Sequence, residues 1–288
     1  MKERRAMHKL LSGSLSVDCL TIRIADLPPS LEQTKLVQLS DLHYDGLRLS
    51  DSMLAEAIEA SNQAQPDLVV LTGDYVTDDP TPIKALVERL KTLKSRYGTY
   101  AVLGNHDISV PGSQTAVTDA FTAGGIRVLW NEIAYPLGAG LPLVGLADLW
   151  SREFHPAPVM EQLDRATPRI VLSHNPDSAA KLQPWRVDLQ LSGHTHGGQI
   201  VIPGLGPFPY AYQVIRRYVP KSLRPWIPYM QEDCCKVVKR WEWAQGFHQI
   251  GKNALYVNRG LGTYLPGRLF CPPEVTVITL VAQSSNMA

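Results

Sequence analysis

Short runs of β-branched and aliphatic residues end abruptly in small polar clusters five times along the chain: LVQLSDLH (36–43), DLVVLTGD (67–74), YAVLGNHD (100–107), RIVLSHNP (169–176) and VDLQLSGHTHGG (187–198). Apolar runs of this length bounded by Gly, Asn or Asp predict strands covered on both faces. Runs at 17–24, 141–147, 253–258 and 275–281 predict further strands whose ends lack ligand-type residues. Between them lie helical periods. Residues 51–64 put Met53, Leu54, Ala57, Ile58 and Ser61 on one stripe. Residues 82–97 place Thr81 as N-cap, Pro82 at the first helical position, Leu86, Leu90 and Leu93 on the apolar face, and Gly98 as a stop. Lys84, Glu88, Arg89, Lys91 and Lys94 read as the solvated side of that helix, and a third helix is expected over 113–123, before Gly124-Gly125. Strands alternating with helices predict an α/β architecture with much parallel sheet, whose function sits in loops at the carboxyl ends of strands.

Composition narrows the partners. The 288 residues carry 28 Lys+Arg against 27 Asp+Glu, a net charge of +1, so no whole-protein field draws the chain to nucleic acid or membrane. Four cysteines (Cys19, Cys234, Cys235 and Cys271) form no disulfide framework and no C-x-x-C pair, which fits a reducing compartment. The basic start MKERRAMHKLLSGSLSV has an apolar stretch shorter than the roughly 7–15 residues of a signal-peptide core. No later run approaches the roughly 20 apolar residues of a membrane span. A cytoplasmic location is therefore expected. The charge asymmetry is concentrated in 203–249, where seven basic residues face three acidic ones, a net of +4, among six prolines and Trp226, Trp241 and Trp243. The expected organisation is a single domain, 1–288, with this segment as an insertion.

The strand ends carry the candidate chemistry. They present Asp41-x-His43, Gly73-Asp74, Gly104-Asn105-His106-Asp107, His174 and Gly193-His194-Thr195-His196. Carboxylates, imidazoles and an amide oxygen suit Mn²⁺, Fe²⁺ or Zn²⁺, and the lack of cysteine argues against structural zinc. One-residue spacing puts Asp41 and His43 on the same side of an extended strand end, within reach of one ion, and His194 and His196 repeat the arrangement. Seven ligand-type residues exceed what one ion takes and suit two with a shared carboxylate. Of eight histidines, five (His43, His106, His174, His194 and His196) fall at strand ends, and His8, His155 and His248 do not.

In order, the blocks D-x-H, GD, GNHD, an isolated H and GHTH resemble the signature of the calcineurin-like metallophosphoesterase superfamily. The GHTHGGQ block (193–199) and the closing stretch LYVNRGLGTYLPGRLFCPPEVTVITL (255–280) are similar to its bacterial branch of small phosphodiesterases and UDP-2,3-diacylglucosamine pyrophosphatases. The resemblance covers roughly 34–202 and 253–281. It implies a four-layer αββα sandwich of two mixed β-sheets flanked by helices. It assigns Asp41, His43 and His196 to one metal, Asn105, His174 and His194 to the other, and Asp74 to both, with Mn²⁺ the expected ion and Fe or Zn the alternatives. His106 would face the substrate, oriented by Asp107. The implied reaction is hydrolysis of a phosphoester or pyrophosphate bond by in-line attack of a hydroxide shared between the ions, on a nucleotide-linked lipid such as UDP-2,3-diacylglucosamine or on a small soluble phosphoester. A non-catalytic scaffold would be expected to lose His106 or several ligands, and all are present.

Two departures qualify the match. Val76 and Thr77 leave no tyrosine three residues after Asp74, so a tyrosinate–iron site is not expected and Tyr75 reads as packing. Asp107 stands where many relatives carry the longer Glu. The 203–249 segment reads either as a lid or headgroup-facing flap, which would give a peripheral membrane contact at the inner face, or as a solvated insertion whose aromatics pack on the domain. Helical spacing over Met230, Cys234, Val237 and Trp241 accompanies it. Arg259 and Arg268 are lesser candidates for phosphate contact, with packing the preferred role, and Trp130, Trp150 and Trp185 read as core. No nucleic-acid partner is expected.

Overall fold

The computed structural model describes residues 11–226 and 237–283. Two six-stranded sheets form the frame. The first runs β1 (Ser16–Ile24), β14 (Glu274–Ala282), β2 (Lys35–Leu39), β3 (Leu68–Leu71), β4 (Thr99–Ala101), β5 (Ile126–Val128), with only the β14–β2 pairing antiparallel. The second runs β12 (Gly246–Ile250), β13 (Asn253–Val257), β9 (Leu189–Ser192), β8 (Ile170–Leu172), β7 (Leu143–Gly145), β6 (Glu132–Ala134), parallel inside and antiparallel at both ends.

The continuous apolar runs follow from this layering. Leu36, Leu68 and Val70 point between the sheets and meet Ile170, Leu172, Leu189 and Leu191. Their neighbours Val37, Leu39, Val69 and Leu71 point the other way, beneath α1 (Asp51–Gln63), α2 (Ile83–Leu90) and α3 (Ser113–Ala123). On the far side, Val144 and Val171 pack on Val159 and Met160 of α4 (Ala157–Met160) and Leu182 of α5 (Ser178–Leu182). Burying each such side chain contributes about 1.5–3 kcal/mol. The order is helix, sheet, sheet, helix, as expected.

The helices also follow the pattern, with one truncation. Ser50 caps α1 by accepting from the Met53 N–H at 3.2 Å, and the five-residue stripe is buried as spaced. The second helix covers only Ile83–Leu90, with Pro82 rather than Thr81 at the N-cap. It stops early because Thr92 turns its hydroxyl onto the Arg89 carbonyl at 2.7 Å, while the Asn62 side chain takes the Thr92 carbonyl and the Lys94 N–H. Local and tertiary bonds thus replace the helical ladder over 91–97.

Entering 203–249 the chain forms a hairpin of β10 (Val201–Ile202), just before the segment, and β11 (Gly206–Pro207), then α6 (Phe208–Tyr218), and later a 3₁₀ turn over Trp241–Trp243 leading into β12. The expected helical stretch at Met230–Trp241 falls largely on 227–236, which, with Cys234 and Cys235, lies outside the described residues. Over 237–245 the chain is turn, bend and 3₁₀, so Trp241 does not belong to an α-helix. Among the described residues no helix is long and apolar enough to cross a membrane.

Candidate metal centre

Immediately past their strands the ligand-bearing turns bend into a backbone region that L side chains rarely adopt. Asp41 (φ 51°), His43 (41°), Asp74 (57°), His194 (72°) and His196 (51°) all lie there. Each such residue costs about 1–3 kcal/mol unless its surroundings over-determine it. Here they do. The Asp41 and His43 N–H groups bond the Gly73 and Asp74 carbonyls at 2.9 and 3.0 Å, and Asp41 accepts the His194 N–H at 2.9 and 3.0 Å. Gly104 is required for space, since any Cβ there would collide with the Asp74 carboxylate.

These turns bring all the sequence-predicted residues to one edge of the sandwich. Asp41, His43 and His196 form one buried cluster, and Asp74, His174 and His194 another, the ligand atoms within each lying within 4.8 Å of one another. Asp74 Oδ2 stands between them, 3.1 Å from His174 Nε2 and 3.6 Å from His43 Nε2. Asn105 belongs to the same cleft, and its Oδ1 is a buried acceptor with no hydrogen-bond partner.

Each of the four imidazoles turns one nitrogen inward and rests the other on an oxygen. His174 Nδ1 donates to the Thr72 carbonyl at 2.7 Å, His194 Nε2 to Val237 at 2.9 Å, and His196 Nδ1 to Gly262 at 3.1 Å. His43 Nδ1 meets Thr77 Oγ1 at 3.3 Å and the Tyr264 hydroxyl at 3.2 Å. The inward nitrogens then converge: His43 Nε2 on His196 Nε2 at 3.2 Å, and His174 Nε2 on His194 Nδ1 at 3.1 Å. Outer-shell acceptors of this kind fix the tautomer and ring orientation of metal-binding histidines.

The electrostatics agree. Burial pushes His194 and His196 down to about 4 and His43 well below its ordinary value, so all three are neutral near pH 7. Burial opposes charge on His174 too, but the adjacent Asp74 carboxylate overrides it and raises the ring to about 10. Burial likewise works against the Asp74 anion and is outweighed by His174, which holds the carboxyl well below the usual range. The centre therefore favours positive charge between its ligands, and a metal ion there would displace the His174 proton.

A cleft of about 440 Å³ opens over the clusters, lined by Asp74, Asn105, His106, His194 and His196 together with Trp150, Tyr264 and Trp241. His106 borders it with its ring 4.9 Å from that of His43, edge-on, and its Nδ1 donates to the Thr77 carbonyl at 3.0 Å. Asp107 orients the loops rather than this ring: its carboxylate accepts the N–H groups of Asp74, Tyr75 and Gly104, each at 2.8 Å, and that of Val76 at 3.2 Å. The shorter aspartate reaches the backbone beneath the site, and the Thr77 carbonyl takes over ring orientation. Tyr75 packs as expected, fully buried against Phe121, with its hydroxyl on the Val102 carbonyl at 2.7 Å.

One expectation changes. Trp150 is not core: it is 49% exposed and stands edge-on to His194 at 4.7 Å, because the turn after β7 carries it to the cleft. Trp130 and Trp185 are half-buried against the core. Arg259 is paired with Asp18 and Glu274. Arg268 spends its donors on the carbonyls of Arg259, Gly260, Gly262 and Cys271, so packing is the role of both arginines. Sequence reading missed Tyr264 and Asp148. The first, within 255–280, offered no block signal. The second directly follows the 141–147 run, lies buried at that strand's exit, and retains an unpartnered Oδ2.

The family model described as calcineurin-like phosphoesterase matches residues 34–198. Phosphodiesterase YaeI of Escherichia coli (strain K12) is 34% identical over 266 residues, covering 90% of this chain and 86% of that protein. The uncharacterized metallophosphoesterase YkuE of Bacillus subtilis (strain 168) is 35% identical over 269 residues, covering 90% and 83%. UDP-2,3-diacylglucosamine pyrophosphatase LpxG of Chlamydia trachomatis serovar D is 28% identical over 302 residues, covering 86% and 84%.

Proposed function

The chain belongs to the calcineurin-like phosphoesterase family and is a hydrolase of phosphoester bonds, and from that premise we propose a dimetal centre acting on a lipid-linked substrate. Asp41, His43 and His196 would hold one divalent ion and Asn105, His174 and His194 the other, with Asp74 shared between the two sets. The observation that carries this reading is the inward convergence of four imidazole nitrogens, each ring backed by an oxygen, on two carboxylates. The unpartnered Asn105 Oδ1 fits an ion as well. Mn²⁺ is the proposed ion because the donors are carboxylate, imidazole and amide with no thiolate. When bound, such ions supply Lewis acidity toward phosphoryl oxygens and lower the pKa of an attacking water.

His106 acts from the protein side. Its Nδ1 is held by the Thr77 carbonyl, which leaves Nε2 for the substrate. In its protonated form that nitrogen donates to a phosphoryl oxygen or to the departing alkoxide. The Asp107 carboxylate keeps the Asp74 and Gly104 turns in register, so the bridge and the acid hold a fixed spacing.

The proposed substrate is a nucleotide-linked lipid such as UDP-2,3-diacylglucosamine, cleaved at its pyrophosphate. The LpxG similarity supports this, and so does the surface beside the cleft. Residues 205–226 contain no acid and four bases, and Tyr218 and Trp226 are 84% and 85% exposed. Leu269, on the neighbouring loop, pairs with Ile200 and Val201, the Phe208 N–H bonds the Ile200 carbonyl, and Leu205, Phe208, Leu269 and Phe270 are all exposed. Apolar and aromatic side chains among lysine and arginine suit an anionic headgroup layer. We read the chain as one domain with 203–249 as an insertion, working in the cytoplasm at the inner face of the membrane. The YaeI similarity supports a second reading, a phosphodiesterase of small soluble substrates.

A turnover panel with Mn²⁺ separates them. UDP-2,3-diacylglucosamine should be hydrolysed faster than bis-p-nitrophenyl phosphate, a phosphomonoester or a cyclic nucleotide. The reverse order selects the second reading, and no turnover of any would sink both. Vesicle sedimentation tests the surface: the protein should pellet with phosphatidylglycerol vesicles and lose that binding at high salt, whereas equal recovery with phosphatidylcholine vesicles would remove the electrostatic contact.

A further inference from the structure

The stretch 237–245 lies against the metal centre as a wall, and four hydrogen bonds clasp it there. The Val237 carbonyl accepts from His194 Nε2 at 2.9 Å, and the Ala244 carbonyl accepts from Thr195 Oγ1 at 2.5 Å, so two consecutive residues of the Gly193–His196 block hang on it. From the other side the Asp177 carboxylate accepts the Lys239 and Arg240 N–H groups at 2.6 and 3.2 Å. Val238, Trp241 and Ala244 are buried together between these clasps, and Val237 and Trp241 line the cleft.

His194 differs from its partners in what sets its tautomer. Thr72 and Gly262, which back His174 and His196, sit at the end of β3 and after β13, on the sandwich itself. Val237 belongs to the inserted segment. If the wall lifted, His194 Nε2 would lose the carbonyl that favours a proton on that nitrogen. Only with the proton on Nε2 does Nδ1 offer its lone pair toward His174 and Asp74.

We infer that Asp177 is a latch: by holding 239–240 it seats the Val237 carbonyl on His194 and so completes the Asp74–His174–His194 cluster for its ion. This rests on the dimetal reading above and adds a regulation to it, because seating and metal binding are one linked equilibrium. An ion on Nδ1 makes the Nε2–H a stronger donor, which tightens the bond to Val237. By reciprocity the seated wall raises the affinity for that ion by the same factor. Among the described residues, the bonds that orient His43 and His196 go to Thr77, Tyr264 and Gly262 and not to the wall, so the Asp41–His43–His196 cluster should be indifferent to it.

The test uses the full chain, stripped of metal and titrated with Mn²⁺ alone. Wild type should bind two ions. Asp177→Ala should bind one of them about 10–100-fold more weakly, the usual range for loss of an outer-shell partner, and the other unchanged. Asp177→Asn, which keeps one acceptor oxygen, should fall between. The Asp177 side chain makes no capping bond to α5, so its loss does not of itself break that helix. Hydrogen exchange needs no variant: in wild type the Lys239 and Arg240 amides should gain protection when Mn²⁺ saturates the site. Two ions bound with wild-type affinity in Asp177→Ala, or amides whose exchange ignores Mn²⁺, would overturn the latch while leaving the dimetal reading intact. Wild type that binds no ion would overturn both.

Discussion

Replacing Asp74 by asparagine should empty the centre of at least one ion and lower kcat/KM by about 10³-fold or more, a loss at or beyond the upper end of that seen when one preorganised charge-stabilising group is removed. The substitution is close to isosteric, which makes it a clean probe. Asp74 Oδ1 accepts the His106 N–H at 2.9 Å, and an asparagine oxygen can keep that bond. Oδ2 is what changes. It faces His174 Nε2 at 3.1 Å and His43 Nε2 at 3.6 Å, and an NH₂ group there turns an anion into a donor aimed at both clusters. The His174 ring would also lose the carboxylate that holds its pKa up to about 10. Its proton would then be lost at lower pH, because burial opposes the charged form once the anion is gone. Elemental analysis of purified variant and wild type, beside turnover of one phosphodiester, decides the matter. A variant that retains two ions and wild-type rate would refute Asp74 as the bridge.

What the sequence revealed, and what it hid, divides along the range of the interactions. Five strand-end blocks were legible because both sheet faces are covered, which forces unbroken apolar runs, and because each run stops where the chain must turn toward the site. α1 was legible because Ser50 and the buried stripe are local features. The early end of α2 was not, since Asn62, thirty residues upstream, takes the backbone that would have continued it. Trp150 was misplaced because its hydrophobicity says only that it prefers contact, and the β7 turn supplies that contact at the cleft. The acceptors that orient the imidazoles were hidden most completely. Three are backbone carbonyls, of Thr72, Val237 and Gly262, and a carbonyl has no signature in sequence. The positive φ of five site residues was equally invisible, although Asp and His tolerate that region better than most side chains.

His106→Ala should leave both ions in place and lower kcat by about 10²–10⁴-fold, the range for a positioned acid or base. The metal centre should survive because the ring is held by the 3.0 Å bond from Nδ1 to the Thr77 carbonyl, while what His106 gives to Asp74 is its backbone N–H, which alanine keeps. Asp107 would go on holding the Asp74 and Gly104 turns, so the spacing beneath the site stays fixed. The loss should therefore fall on kcat rather than on metal content, and rate measurements at saturating Mn²⁺ with several leaving groups read it directly. If Nε2 protonates the departing oxygen, the penalty should shrink for p-nitrophenolate, which leaves without help, and grow for an alkyl alkoxide. If it neutralises a phosphoryl oxygen instead, the penalty should be the same for both. Unchanged turnover on every substrate would remove His106 from the reaction, and a variant stripped of metal would make it a structural part of the centre rather than a group that meets the substrate.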